Sequence, residues 1–248
     1  MEFKSWLIFR QLHPLYIGHF IRRMHFWKTL ESIPLNRQIK TVLDIGCGSG
    51  VYAYEMASRF ATATVKGIDL DIASLKSKWP ALPNLKFEVG DATKLVDKDY
   101  YNFIYCIDVI DDIRNWELAL QNIKEALKEQ GFLYIHFPKH PRIVHVFKMK
   151  QVIEYWKRDA SYSHAKCSDD ELKSNLEKLG FDIIYEYTTF GRVAVFAQEV
   201  SLLMLMRRGQ FSRVLHYVIH PLLIALALSD LFLSIKFGNG LAILCQKR

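Results

Sequence analysis

Thr41-Val42-Leu43-Asp44-Ile45-Gly46-Cys47-Gly48-Ser49-Gly50 is the stretch on which the reading of this chain turns. An apolar run of β type carries one acid. Three glycines then alternate, and a helical pattern opens at Val51. That order predicts strand, tight turn and helix, the arrangement found at the ligand end of an open α/β sheet. Glycines let the backbone approach a ligand without Cβ obstruction, and a helix N-terminus offers unpaired N–H groups. A dinucleotide turn would read G-x-G-x-x-G/A, but here the pattern is G-x-G-x-G and the third dinucleotide place holds Val51. Asp44 stands two residues before the first glycine, where a carboxylate suits a cationic group better than a pyrophosphate.

Outward from this turn, the chain alternates strands and helices. A helix is expected over residues 51–60 and a second strand over 64–70, ending in Asp69. Asp69 lies 19 residues after Gly50, about the spacing at which a doubly wound fold sets a ribose-binding carboxylate. A helix over 72–79 is stopped by Pro80, and a third strand over 85–89 leads into Gly90-Asp91-Ala92. A fourth strand over 101–107 precedes Asp108-Val109-Ile110-Asp111-Asp112-Ile113. An amphipathic helix over 116–129 is closed by Gln130-Gly131, followed by a fifth strand over 132–137. Ser168 with Asp169, Asp170 and Glu171 reads as a helix N-cap with acids in the first turn, and the helix ends at Gly180. A sixth strand follows over 181–188 and a last over 241–247.

Five blocks in this order, LDIGCGSG, GIDLD, GDA, CIDVIDDI and LKEQGFLYIHFP, resemble the class I S-adenosylmethionine-dependent methyltransferases, in particular the ubiquinone/menaquinone-biosynthesis (type 11) group. The resemblance implies a Rossmann-like α/β fold: a seven-stranded, mostly parallel sheet with an antiparallel last strand, plus added helices. It implies S-adenosyl-L-methionine as cofactor. Asp44, Gly46, Cys47, Gly48 and Gly50 would hold the methionine end, and Asp69 with Leu70 the ribose side. Asp91 and Ala92 would meet the adenine, and Cys106, Ile107 and Asp108 would line the floor near the sulfonium. Many relatives carry Glu-His where this chain has Asp111-Asp112, so any role of that histidine is not carried over. No catalytic base is assigned, and an exposed loop pair is the expectation for the two aspartates. The alternative is a Rossmann-like domain for another nucleotide.

The expected domain organisation is a helical cap over 1–40, a cofactor-binding domain over 41–189 with 237–248, and a hydrophobic helical insertion over 190–236. Residues 1–40 read as one or two amphipathic helices broken near His13-Pro14 and Gly18, and residues 140–159 as a basic, apolar helix. The insertion carries two hydrophobic helices, 193–206 and 214–235, hinged by Arg207 and Arg208, the second kinked at Pro221. Such helices roof a greasy pocket, pair with another subunit, or lie on a bilayer. The longest uncharged run, 214–229, has 16 residues, short of the ~20 that a membrane span needs. No secretory signal is read at the N-terminus.

Charge is uneven. The net of +7 sums +5 over 1–40, −4 over 41–138, +5 over 139–166, −4 over 167–191 and +5 over 192–248. The basic flanks suggest an anionic membrane surface, an acidic substrate or a nucleic acid. Nucleic acid is disfavoured, because strand four is followed by IDVIDD rather than the N/D-P-P-Y/F of amino-methylating enzymes. Cys47, Cys106, Cys167 and Cys245 form no C-x-x-C pair, which suits a reducing, cytoplasmic location. His136, His140, His145 and His164 form no metal spacing; any of them, or Tyr155 or Tyr162, could serve as a general base. His216 and His220 stand four apart without an H-E-x-x-H frame, so no metal is expected. The function expected is methyl transfer to a small hydrophobic or lipid-linked acceptor, peripheral on a membrane surface, with a homodimer through 190–236 a further use of the apolar helices. The competing readings are a nucleic-acid methyltransferase, a non-catalytic cofactor-binding protein, and a membrane-surface interaction protein.

Overall fold

The computed structural model describes residues 17–31, 39–72, 79–139, 146, 167–206, 210–233 and 235–248. The helices expected over 72–79 and 140–159, and the segment before residue 17, lie outside the described residues, entirely or nearly so. The chain divides into two compact units, one of Thr29–Pro138, Tyr162–Tyr187 and Leu241–Arg248, the other of Met1–Lys28, Lys139–Ser161 and Thr188–Gly240.

The first unit is built on a seven-stranded sheet of order β3-β2-β1-β4-β5-β7-β6. Its strands are β1 (Thr41–Ile45), β2 (Thr64–Asp69), β3 (Leu85–Val89), β4 (Tyr101–Ile107), β5 (Leu127–Pro138), β6 (Phe181–Thr189) and β7 (Gly240–Lys247). β1 pairs in parallel with β2 (Ile45 opposite Ile68) and with β4 (Ile45 opposite Cys106), while β2 pairs with β3 (Asp69 opposite Val89). The carboxyl ends of the central strands are thus level with one another, as a ligand site at the switch of strand order requires. β7 runs the other way. The Lys139 N–H after β5 bonds Asn239 O before β7, while Gln246 near its end bonds Gln130 O near the start of β5. The Arg248 N–H likewise meets Gly180 O, just before β6.

Central β1 and β4 are apolar on both faces because helices cover both sides of the sheet. Val42, Leu43, Phe103, Ile104, Tyr105 and Cys106 are fully buried. α3 (Trp116–Ala126) contributes Ala119, Leu120 and Ile123 to the main core, and α4 (Asp169–Lys178) contributes Leu172 and Leu176. Each such Leu or Ile side chain stabilises by about 1.5–3 kcal/mol relative to exposure. The edge strand β3 is guarded by charge: Glu88 bridges Lys66 and Lys86 at 3.0 and 2.5 Å, which discourages edge-to-edge pairing. α4 carries the full reciprocal cap that its S-D-D-E start predicts, Ser168 Oγ accepting from the Glu171 N–H and Glu171 accepting from Ser168.

Two expected boundaries are corrected. α3 ends at Ala126 rather than 129, and β5 begins at Leu127 rather than 132. The cause is a bulge: Leu127 pairs with Tyr101 and Phe132 with Phe103, and Gln130 takes a φ of 60° to absorb the extra residues. The turn chemistry read from Gln130-Gly131 is real, but it bends a strand instead of closing a helix.

The second unit holds α1 (Ile17–Glu31, through Lys28), α5 (Arg192–Met206) and α6 (Gln210–Leu228). Gly18, expected as a break, lies in the first turn of α1, where a glycine is tolerated. α6 stops at Leu228 and not at 235, continuing as a 3-10 turn over Ser229–Leu231; Pro221 stands inside the helix. Ile17, Phe20, Ile21, Val195, Leu223 and Ala227 form a separate apolar cluster. Asp230 is buried and accepts the Gly191 N–H at 3.0 Å, tying the end of α6 to the start of α5.

Candidate cofactor site

The glycine turn sits between the carboxyl ends of β1, β2 and β4. Gly46, Gly48 and Gly50 have φ of 66°, 50° and 76°, the left-handed region that favours glycine. Gly46 is also a point of close approach: a Cβ there would lie 2.3 Å from a Val109 methyl. The Cys47 N–H bonds Ile68 O at 2.9 Å, and the Gly50 N–H bonds Cys47 O at 2.8 Å, closing the turn before α2 (Val51–Arg59). The indole N–H of Trp79 bonds Ser49 O at 2.7 Å, and its ring stacks on Tyr54 of α2 at 4.5 Å. Trp79 is one of the residues the sequence reading passed over; only its position before Pro80 was noted.

Asp44 is 2% exposed. Burial pushes its carboxyl up to about 8, with the nearby Asp69 charge adding to the effect, while the Tyr105 hydroxyl and the Ala53 N–H act in opposition. Its Oδ2 has no hydrogen-bond partner among the described residues. A buried carboxyl oxygen left open is costly, about 1–3 kcal/mol, and is the feature a ligand cation would satisfy.

Asp69 faces the same turn. Its Oδ2 accepts the Gly48 N–H at 2.8 Å and its Oδ1 the Asp71 N–H at 3.2 Å. Next to it Leu70 is 74% exposed, and Val89, opposite Asp69 on β3, is 69% exposed. Both are bare apolar side chains near the strand ends; the sequence points only to Leu70. Gly90 closes tightly on β2, its would-be Cβ 2.9 Å from Ile68 Cβ. Asp91 caps the short turn Ala92–Lys94: Oδ1 accepts both the Thr93 N–H (2.9 Å) and the Thr93 hydroxyl (2.7 Å). The Thr93 hydroxyl is the main reason its carboxyl lies below the ordinary carboxylate range. Ala92 is buried, its carbonyl accepting from Asn122 Nδ2 at 3.1 Å.

At the end of β4, Cys106 is fully buried and Ile107 half-buried. Burial raises the Cys106 thiol, with the Asp111 and Asp44 charges adding, and burial raises Cys47 likewise; neither thiol is ionised at neutral pH, so neither is a nucleophile. Asp108 adopts a φ of 54° and is held at both ends by one residue. Its carboxylate lies 2.6 Å from His136 Nδ1, and its N–H donates to His136 O at 2.7 Å. His136 is buried at the end of β5. In sequence His136 is one of several scattered histidines; the parallel register that sets it opposite Ile107 is what brings it to Asp108. Asp111 is buried in a 3-10 turn, contrary to the exposed pair expected, while Asp112 is exposed. Residues 140, 145, 155, 162 and 164 lie outside the described residues.

A methyltransferase-domain family model matches residues 16–186, and the chain belongs to that family. Its fold is that of class I S-adenosylmethionine-dependent methyltransferases. Among curated relatives, the trans-aconitate 2-methyltransferase of Deinococcus radiodurans is 31% identical over 112 residues, covering 45% of this chain and 43% of that one. The malonyl-[acyl-carrier protein] O-methyltransferase 2 of Ilyobacter polytropus is 24% identical over 146 residues, covering 57% and 55%. The chain spans about a third to a half of the length of the curated relatives it matches. A methyltransferase structure from Archaeoglobus fulgidus superposes with a TM-score of 0.57 at 16% identity, covering 99% of this chain and 100% of that one. The ubiquinone-type subgroup is not singled out by these relatives.

Proposed function

We propose that the protein is a methyltransferase that binds S-adenosyl-L-methionine at the glycine turn and methylates a small hydrophobic or lipid-linked acceptor on the cytoplasmic side of a membrane. The observation that carries the cofactor reading is Asp44 Oδ2, a buried oxygen open beneath a three-glycine turn. S-adenosylmethionine supplies a methyl group already activated on a sulfonium. The chain's own residues are then left with holding, aligning and excluding water.

Asp44 holds the ammonium of the methionine end. Binding of a cation there returns its raised carboxyl to the ionised form, so affinity rises with pH up to about 8. Asp69 holds the ribose hydroxyls with the lone pairs its two backbone partners leave over. Leu70 and Val89 offer bare apolar side chains on which a flat base would lie, and Asp91 accepts at its edge through Oδ2. The buried Cys106 and half-buried Ile107 give a floor without a competing nucleophile.

The lipid-like acceptor is supported by the apolar surface of α6, where Val214, Tyr217, Val218 and Leu222 are all exposed. One relative bears a name for an acceptor carried on acyl-carrier protein, and another for a small tricarboxylate. Calorimetry of S-adenosylmethionine binding with Asp44→Asn tests the site. Methyl transfer into an extract of the source cells, partitioned between organic solvent, water and macromolecule, tests the acceptor. Label confined to the aqueous phase would discard the lipid-like acceptor and keep the enzyme.

A further inference from the structure

The α5–α6 pair departs from a water-facing helical hairpin: it buries polar groups beside its apolar cluster and turns further apolar residues outward. Gln198, Glu199 and Ser201 of α5, His216 of α6 and the adjoining Asp230 are all buried. Within the pair, Ser201 Oγ lies 3.1 Å from His216 Nε2. The exposed side is the greasy one. Val214, Val218 and Leu222 repeat every four residues along one stripe, with Tyr217 beside them, and after the helix in sequence Phe232 and Phe237 are 84% and 69% exposed. A helix keeps polar residues inside and apolar residues outside where its surroundings are less polar than its neighbours.

Charge selects the kind of surroundings. Residues 192–248 contain two acids, Glu199 and Asp230, against seven Lys and Arg. Both acids are buried, so this segment shows water no negative side chain. Arg192 and Lys236 are exposed, Lys236 next to Phe237, and Arg207, Arg208 and Arg213 follow α5 in sequence. An apolar stripe in a segment whose exposed charges, among the described residues, are basic matches the acyl boundary and phosphate layer of an anionic membrane. A second copy of the chain matches it less well, since a two-fold contact sets the same patch against itself, cation facing cation.

The stretch Val214–Leu231 is apolar enough by composition to cross a bilayer, yet the two faces differ. Leu223 and Ala227 pack inward with α1 and α5 residues, while Val218 and Leu222 face out. A one-sided stripe fits a helix lying in the interface, not through it. We infer that the exposed face of α6, together with the bare Phe232 and Phe237, lies flat on an anionic phospholipid surface as a one-sided membrane anchor. This deepens the proposed lipid-linked acceptor by naming the surface from which such an acceptor is taken, and it is tested without methyl transfer.

The experiment is flotation of the full chain with phosphatidylcholine vesicles, with and without phosphatidylglycerol, comparing the natural sequence with Val218→Asp/Leu222→Asp and with Lys236→Glu. Both variants sit on exposed positions, and S-adenosylmethionine calorimetry with the same preparations reports whether the fold is intact. The expected result is that anionic vesicles carry the natural chain, the aspartate pair abolishes flotation, and Lys236→Glu weakens it by about fivefold, all with unchanged cofactor affinity. Flotation of the aspartate pair equal to the natural chain overturns the inference. So does resistance of the bound chain to alkaline carbonate, which means spanning, or a dimer in sedimentation that the aspartate pair splits while the natural chain ignores vesicles. Loss of cofactor binding in the natural chain itself would sink the methyltransferase reading and leave the flotation result standing.

Discussion

Set side by side, the sheet around the glycine turn and the α5–α6 pair both bury an apolar core but differ in what they expose. In the sheet, β1 and β4 bury aliphatic and aromatic side chains, and the open carboxyl oxygen of Asp44 lies where a ligand would meet it. In the helix pair, Gln198, Glu199, Ser201 and His216 are buried beside Val195 and Leu223, while Val214, Val218 and Leu222 are turned out. The first pattern is that of a domain whose surroundings are water and whose exception is a site. The second carries the exposed apolar face on which the proposed membrane contact rests.

The comparison can be broken most forcefully at Leu223. It is 2% exposed, and Leu223→Ala is expected to cost about 2–5 kcal/mol, read as a fall in the denaturation midpoint. Gly46→Ala comes next. It forces a side chain into the left-handed region and against Val109, for about 3 kcal/mol, and calorimetry should detect no cofactor binding. Asp44→Asn should weaken S-adenosylmethionine by roughly 100-fold, since the ligand cation loses its buried counter-charge. The same change should stabilise the free protein. The folded-state carboxyl lies near 8 against a model value of 3.8, so the native chain binds the extra proton between those limits and loses stability as pH rises through that window. Melting curves at pH 5 and pH 8 should therefore show Asn gaining on Asp at the higher pH; equal curves would mean that Asp44 is not buried as described.

Asp91→Ala is a smaller test, because its Oδ1 is already spent on Thr93. About tenfold weaker cofactor binding is expected, with some loss of local stability from the missing cap. Unchanged affinity would reduce Asp91 to a cap and move the adenine elsewhere. The smallest effect sharpens the contrast most. Leu222, 61% exposed and adjacent to Leu223, should tolerate Ala within about 0.5 kcal/mol in water. If Leu222→Ala costs as much as Leu223→Ala, the outer face of α6 is covered in solution and the difference between the two regions disappears.

How far the sequence could be read follows the same division. The strands and the turn were legible because their signals are local: an apolar run, an acid at a strand end, glycines at fixed steps. Ser168 and Glu171 announced a cap that is present in full. The boundary between α3 and β5 was not legible, since Leu127 is settled by a partner, Tyr101, that lies far away in sequence. The Asp108–His136 pair was hidden for the same reason: each residue looks ordinary until strand register sets them 2.6 Å apart. Trp79 and Val89 gain their meaning from Ser49 and Asp69, residues that local patterns do not reach. In the helix pair, hydrophobicity was visible but its facing was not, because a stripe of Val and Leu reads alike whether it is turned inward or outward.

The position of β7 sets the order in which this protein can be made. Gly240–Lys247 fills the place between β5 and β6, so β6 has no route into the sheet until those residues have left the ribosome. The strands that carry the glycine turn, Asp69 and Asp108 do not wait for it: β3, β2, β1, β4 and β5 are contiguous without β7. A nascent chain can thus hold a formed cofactor end while the far side of its sheet stands open, with β6 already synthesised and still without its β7 partner. That interval is when a membrane surface, or a chaperone, would first meet the outward face of α6.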